Sequence, residues 1–363
     1  YLDKRQSQTP DEQTTASSGK TSGVAPDKTL GHTSVIDINA EKEYEEMQLV
    51  HTAEHTRAYI KIQDGCNQFC SYCVIPFARG RVRSRKPEQV EEEVRRLAEA
   101  GYHEIVLTGI HLSSYGLDFH GESYNTAGGQ GNEQELLRLI ERIHAVDGIT
   151  RIRLGSLEPR VITEAFAGAL AALPKVCPHF HLSLQSGCDG VLKRMNRRYT
   201  TEEFARSVEI LRRVYEHPAI TTDVITGFPG ETEEEFAQTV SYLEKIRFFE
   251  MHVFPYSRRE GTVAADMPGQ LTEKEKKQRS SVLLAMTARH SKEYREYYIG
   301  KEQEVLFEQC HEIEGRQYLT GHTRNYVRVA VPVEGIDPAE MTNQEHICCL
   351  TGFADDETLL GTY

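Results

Sequence analysis

Gly65-Cys66-Asn67-Gln68-Phe69-Cys70-Ser71-Tyr72-Cys73 places three cysteines in a C-x3-C-x2-C run. It directly follows a strand-like apolar segment, Ala58-Tyr59-Ile60-Lys61-Ile62. Three thiolates on one loop can hold three corners of a cubic iron–sulfur cluster and leave the fourth iron open to a small molecule. Clusters that only carry electrons usually have four cysteine ligands, so a triad points to chemistry at the cluster itself. A structural zinc site wants four ligands, typically in two close pairs. The next cysteine here, Cys177, is about a hundred residues on and has no pair. Inert packing is the third reading, although Gly65, Asn67 and Ser71 mark a loop, and loops seldom bury three thiols. Phe69 and Tyr72 either shield a cluster from water or simply pack.

Outward from this run, short apolar stretches alternate with amphipathic ones, the pattern of a parallel α/β sheet. Strands are expected at 59–62, 104–112, 151–157, 179–184, 220–225 and 250–256. Helices are expected at 87–100, 133–145, 201–215 and 233–245. Val90, Val94 and Leu97 recur at helical spacing in the first of these, and Gly101 ends it. A charged helical stretch, 272–298, closes this region. From Gly300 the pattern turns to short strands at 304–308, 317–319, 326–331 and 347–350, a small β-barrel. Residues 118–132 read as an irregular polar connection. Residues 1–30 are rich in Ser, Thr, Gln, Gly and Lys and read as disordered linker, and 35–56 hold at most a strand or short helix.

The chain has 363 residues, a net charge of -13 and eight cysteines. No apolar run approaches a membrane span and the N-terminus is polar, so neither a membrane segment nor a signal peptide is expected. The cysteine spacing is not that of a disulfide framework, which suits a reducing, cytoplasmic setting. The acidic balance argues against general nucleic-acid affinity, so an RNA substrate would need local basic surface.

Residues 57–85, RAYIKIQDGCNQFCSYCVIPFARGRVRSR, resemble the cluster loop of radical S-adenosylmethionine (SAM) enzymes. Ile75-Pro76, Arg79-Gly80 and Ser84-Arg85 resemble the methylthiotransferases in particular. Lys61–Cys73 is most similar to the MtaB branch, which methylthiolates threonylcarbamoyladenosine beside the anticodon of tRNA. The fold implied is a partial (β/α)6 barrel over 56–298. Thr320–Val327 resembles the TRAM domain, an OB-like RNA-binding barrel, here over 299–363. Residues 1–55 are then a linker left from an absent N-terminal domain, whose three further cysteines bind a second 4Fe-4S cluster in the family. Without those ligands, radical formation without efficient thiolation is expected.

The resemblance implies a 4Fe-4S cluster on Cys66, Cys70 and Cys73 with SAM on the fourth iron. It also implies cleavage of SAM to a 5′-deoxyadenosyl radical, and hydrogen abstraction from C2 of the adenine. Ligands bind beyond the carboxyl ends of parallel strands. Thr108, Gly109, Glu158, Gln185, Ser186, Asp223 and Gly227 are therefore the candidate SAM contacts, although Gly and Pro at such corners equally suit plain turns. Arg79, Arg81, Arg83 and Arg85 alternate after the cluster loop. With Arg197, Arg198, Arg324 and Tyr326 they are the candidate RNA contacts, set against the bland reading of solvated surface. The expected partners are a tRNA anticodon stem-loop and a reductant such as flavodoxin or ferredoxin, with a monomeric enzyme. Rival readings are another methylthiotransferase branch (isopentenyladenosine in tRNA, or a ribosomal protein aspartate) and a non-catalytic iron–sulfur or zinc RNA-binding protein. His179 and His181 flank Phe180 and share one strand face. With no third ligand evident nearby in sequence, barrel lining is their expected role.

Overall fold

Arg57–Asp64 alternates apolar and polar residues and forms the first strand, β1, with Ile60 and Ile62 fully buried. A computed structural model describes residues 38–39, 41, 43–45, 56–119 and 133–363. The linker expected over 1–30, and most of 35–56 and 118–132, lie outside these described residues. After β1 come α1 (Ile75–Ala78), β2 (Arg83–Ser84), α2 (Pro87–Glu99), β3 (Glu104–Gly109), α3 (Glu133–His144) and β4 (Arg151–Leu154). They are followed by α4 (Glu164–Ala171), β5 (His179–His181), α5 (Asp189–Arg194), α6 (Thr201–Val214), β6 (Ala219–Thr226), α7 (Glu233–Ile246), β7 (Glu250–Pro255) and α8 (Glu273–Glu296).

Strands β1, β3 and β4 pair in parallel, as do β5, β6 and β7. Single parallel bridges, Ile152 with Val176 and Leu157 with Leu182, join the two sheets. Six parallel strands thus run in chain order around an open, partial barrel, with β2 added antiparallel to β1 at the edge. The helices cover the outside and close one core. Val90 and Val94 of α2, Leu139 and Ile143 of α3, Phe166 of α4 and Phe204 and Leu211 of α6 all enter it. Each such side chain contributes about 1.5–3 kcal/mol by leaving water. Helices α6, α7 and α8 each open with a reciprocal Thr-x-x-Glu cap, Thr200 with Glu203, Thr232 with Glu235 and Thr272 with Glu275. These caps fix where each βα turn ends, and so where the strand-end loops point.

Beyond α8, β8 (Glu302–Ile313), β9 (Arg316–Thr323), β10 (Arg328–Pro332), α9 (Pro338–Met341), β11 (Glu345–Phe353) and β12 (Leu359–Thr362) follow. The five strands close a small barrel in the order β10-β12-β11-β8-β9. Its core, around Phe307, Leu319, Val329 and Leu350, continues into Ala219 and Phe249 at the starts of β6 and β7. Asp37–Tyr363 forms one compact unit.

The small barrel seats on the amino ends of the parallel strands. Arg57 Nε donates to Glu104 Oε1 (2.7 Å), as does Arg153 Nε (2.8 Å), and Arg151 Nη1 lies 3.9 Å from Glu104 Oε2. Across the junction Arg57 pairs with Glu308, while Arg151 pairs with Glu304 (3.1 Å) and Glu345 (2.6 Å). Burial alone raises the Glu104 carboxyl, but the flanking guanidiniums outweigh it and hold it down at about 2. Two candidate RNA contacts are engaged here instead. Arg324 donates to the carbonyls of Pro174 and Val176. Tyr326 stacks between His179 (5.0 Å) and His322 (4.6 Å) under the Arg153 guanidinium. Both side chains face the junction, because the αL residue Tyr326 (φ 66°) turns the β9–β10 loop into it.

Candidate active site

The cysteine run leaves the carboxyl end of β1 through Gly65. With φ +69° and a Cβ position only 1.8 Å from Arg81 O, this residue has room for nothing but hydrogen. Cys66 N–H donates to Gly80 O (3.1 Å) and Asn67 Oδ1 accepts from Val82 N–H (3.3 Å), tying the loop to its own return. Its middle is tied to the far side of the barrel. Ser71 N–H donates to Met195 O (3.0 Å), Ser71 Oγ to Arg194 O (2.8 Å) and Asn196 Nδ2 to Phe69 O (2.8 Å). All three cysteines are free thiols. Burial pushes the Cys66 thiol up to about 11 and raises Cys73 as well, so metal binding would release protons.

A cavity of about 130 Å³ lies against the thiols, lined by all three cysteines together with His111, Ser156, Glu158, Ser183, Gln185 and Arg197 among others. A second cavity of about 610 Å³ shares Gln68, His111 and Glu158 with it. Together they match the size range of cofactor pockets. The three sulfurs do not all lie within 4.8 Å of one another. A zinc ion about 2.3 Å from each sulfur would need them within about 4 Å, so the triad fits a multi-iron cluster better than one ion. The residues present suit that group, with three soft thiolates on one side and polar groups from strand ends on the open side.

Arg197 reaches into this cavity. Its Nη1 donates to Cys70 Sγ (3.3 Å), Nε to the Tyr199 hydroxyl (2.9 Å) and Nη2 to Ser183 O (3.3 Å). Glu158 accepts at 3.3 Å from Arg160 Nη2, and its Oε2 lies 3.5 Å from His111 Nε2. The His111 ring is fixed at its other nitrogen by Ser114 Oγ (2.6 Å). Burial raises the Glu158 carboxyl, but His111, Arg160 and Arg197 more than offset this and hold it at about 2. An anion is therefore kept beside the cysteines at every physiological pH.

Of the seven candidate SAM contacts, Glu158 and Gln185 line the cysteine cavity. Thr108 Oγ1 instead donates to Ile60 O (3.2 Å), and Gly109 packs on Gln63, whose Oε1 receives His111 N–H (2.8 Å). Ser186 is fully buried against Thr239 (3.2 Å), and Gly227 N–H donates to Glu231 beneath α8. Asp223 lies deeper in the barrel, on β6 facing His181. His111, Ser156 and Ser183, from the same strand-end segments, line the cavity beside them.

The basic residues divide in the same way. Arg79, Arg81 and Arg198 are exposed. Arg83 and Arg85 are buried. Arg83 sits 3.7 Å from Asp64, and Arg85 Nη1 donates to Glu93 of α2 (2.5 Å). Together with Arg197, they are structural or site-lining groups rather than surface cations. Arg258 and Arg259, just after β7, are exposed bases that the sequence pattern did not mark out. Phe77 (57% exposed) and Phe254 (52%) present rings on α1 and near the end of β7.

Residues 60–243 match the family described as the Radical SAM superfamily. The "Threonylcarbamoyladenosine tRNA methylthiotransferase MtaB" of Bacillus subtilis (strain 168) is 42% identical over 297 residues, covering 81% of this chain and 63% of the relative. The protein of the same description from Thermotoga maritima is 41% identical over 276 residues, 76% of this chain and 60% of the relative. A "tRNA-2-methylthio-N(6)-dimethylallyladenosine synthase" from Pelotomaculum thermopropionicum is 41% identical over 259 residues, 71% and 55% of the two chains. The chain thus spans between 55% and 63% of the length of these curated relatives.

Proposed function

The chain belongs to the radical SAM superfamily, and from that premise we propose that it acts as a tRNA methylthiotransferase on C2 of N6-threonylcarbamoyladenosine beside the anticodon. The observation that carries this reading is the triad Cys66, Cys70 and Cys73, facing a cavity ringed by the carboxyl ends of the barrel strands. The choice of branch rests on the relatives, of which the Bacillus protein matches over the longest stretch of this chain among those described. We take 56–298 as the radical SAM core and 299–363 as a TRAM module.

Cys66, Cys70 and Cys73 are the residues that would hold a 4Fe-4S cluster, which would supply the electron for reductive cleavage of SAM. The chain's own residues prepare the place. Arg197 donates to the Cys70 sulfur, and such hydrogen bonds tune a cluster's potential. Glu158, ionised and oriented by His111 and Arg160, offers an acceptor to a cationic ligand. Tyr72, partly buried and edge-on to Phe228 (6.5 Å between ring centroids), helps keep water from the sulfurs. Exposed Arg79, Arg81, Arg198, Arg258 and Arg259 supply cations for phosphates, and Phe77 and Phe254 supply rings on which an unstacked base can lie. The donor of electrons is a flavodoxin or ferredoxin, and the protein acts as a cytoplasmic monomer. All eight cysteines are free thiols, which suits a reducing compartment. Among the described residues no helix is long and apolar enough to cross a membrane.

Anaerobic reconstitution with iron and sulfide, then dithionite and SAM, tests the chemistry. 5′-Deoxyadenosine is expected from the parent and none from Cys70→Ala; its absence from the intact protein sinks the reading. Nucleoside analysis of tRNA from cells lacking the protein tests the branch. Loss of the methylthio group from the threonylcarbamoyl nucleoside is expected; loss from the isopentenyl nucleoside instead would move the protein to the other branch.

A further inference from the structure

Three adjacent strands place two histidines and an aspartate together on the inner face of the partial barrel. The β5–β6 register sets His181 opposite Thr221, and the β6–β7 register sets Asp223 opposite His252. Because alternate residues share a strand face, His181, Thr221, Asp223 and His252 all point the same way. One ligand atom each from His181, Asp223 and His252 lies within 4.8 Å of the others, the only such trio among the described residues. His181 Nε2 stands 3.2 Å from Asp223 Oδ2, and the rings of His181 and His252 lie near parallel at 5.8 Å.

From this geometry we propose that His181, Asp223 and His252 form a binding site for one divalent transition-metal ion of the zinc or ferrous class, separate from the cysteine triad. Bonds of about 2.0–2.2 Å to nitrogen and oxygen put two neighbouring ligands about 3.0–3.4 Å apart, which is the observed His181–Asp223 separation. His181 Nδ1 meets Thr221 Oγ1 at 3.0 Å. With the proton on Nδ1 donated to Thr221, the Nε2 lone pair faces a carboxylate oxygen, an arrangement that a cation between them stabilises. This is how a second partner normally fixes the tautomer of a metal-binding histidine. His252 is exposed, so its ring can swing to close the third position. Two histidines and one carboxylate leave coordination positions open. Those positions face the lumen two residues below Ser183, which lines the cysteine cavity. An oxygen donor on a substrate entering through the mouth could fill them.

Zinc alone is the probe, with bound metal counted after gel filtration and affinity measured by calorimetry. Thiolates also take up zinc, so the readout is the difference between variants. His252→Ala and Asp223→Asn should each take up one equivalent fewer than the parent. Thr221→Val should keep that equivalent with affinity about 10–100-fold weaker. The same loss should appear when His252→Ala is made in a Cys66→Ala/Cys70→Ala/Cys73→Ala background, which separates this site from any failure of the cluster reading. Circular dichroism checks folding, and exposed His252 is the substitution least able to disturb it. Equal zinc uptake by parent and His252→Ala, in either background, overturns the proposal and leaves only a His181–Asp223 hydrogen bond.

Discussion

At the base of the partial barrel Arg57, Arg151 and Arg153 converge on one carboxylate, Glu104, with Glu304, Glu308 and Glu345 arriving from the small barrel. At the mouth Arg81, Arg198 and Arg259 stand exposed, and Arg79, also exposed, pairs with Asp64 (3.1 Å). The residue type is the same and the surroundings decide its use. Breaking a buried, hydrogen-bonded pair costs about 3–5 kcal/mol, whereas an exposed pair is worth about 0–1 kcal/mol. Cations at the base are therefore committed to stability, while those at the mouth remain available to a ligand. This matches the division of α/β barrels into an amino end that holds the fold and a carboxyl end that does chemistry. It also explains how a chain of net charge -13 can offer a basic surface. From Gly300 to Tyr363 four Lys and Arg residues stand against twelve Asp and Glu, so the acid excess sits with the small barrel, away from the mouth.

The base is broken most directly by Glu104→Gln. Three guanidiniums lose their shared anion, and a fall in unfolding free energy of about 3–5 kcal/mol is expected in urea melts, with 5′-deoxyadenosine formation per folded molecule unchanged. Acid should reproduce much of this. Glu104 is held at about 2 against an ordinary 4.5, so its folded form binds the proton more weakly than the unfolded chain. The stability it confers is complete above about pH 4.5 and disappears as pH falls towards 2, a loss of about 3 kcal/mol. Glu158 titrates in the same window, so the steeper acid dependence of the parent relative to Glu104→Gln isolates the base. Equal pH dependence in the two proteins contradicts the shared-anion account.

The base is the part least legible in the sequence. Its partners are about 50 to 250 residues apart along the chain, and nothing local in Arg324-Asn325-Tyr326 shows that the loop turns inward. The repeating elements are clear, since Val90 and Val94 mark α2 by helical spacing and short apolar runs mark the six parallel strands. Helix α4 escapes the pattern because EAFAGALA lacks a polar face, and β2 because two residues carry no period. The alternation of Arg79, Arg81, Arg83 and Arg85 suggests one basic face. Pairing of β2 with β1 and the Glu93 carboxylate on α2 instead draw Arg83 and Arg85 inside. Gln185 and Ser186 separate for another reason. The positive φ of Gln185 (73°) rotates the backbone, leaving Gln185 in the cavity and Ser186 under α7. The cysteine triad needs no tertiary information, because all its ligands lie within eight residues.

At the mouth the contrast is sharpened by Arg197→Ala. The substitution removes one N–H donor from the Cys70 sulfur, so a cluster held there should become harder to reduce. A more negative midpoint in an EPR-monitored redox titration is expected, with SAM cleavage slowed about tenfold. Stability should fall by only about 1 kcal/mol, because Tyr199 still donates to the carbonyl of Leu184 (2.9 Å). An unchanged midpoint with a large stability loss would make Arg197 a residue of the structural kind found at the base.

The smallest effect separates the two ends by salt. Each cation that no longer neutralises a phosphate of a single-stranded loop lowers the slope of log affinity against log salt by about 0.7. Arg81→Gln with Arg198→Gln should therefore reduce the slope for an anticodon stem-loop by about 1.4 and leave the melting temperature within error. Arg324→Gln should do the reverse. Its guanidinium is tied to the carbonyls of Pro174 and Val176, so the slope stays and the junction weakens. If Arg324→Gln lowers the slope as much as the mouth variants do, the small barrel binds RNA through that side chain, and the base is not a sealed end.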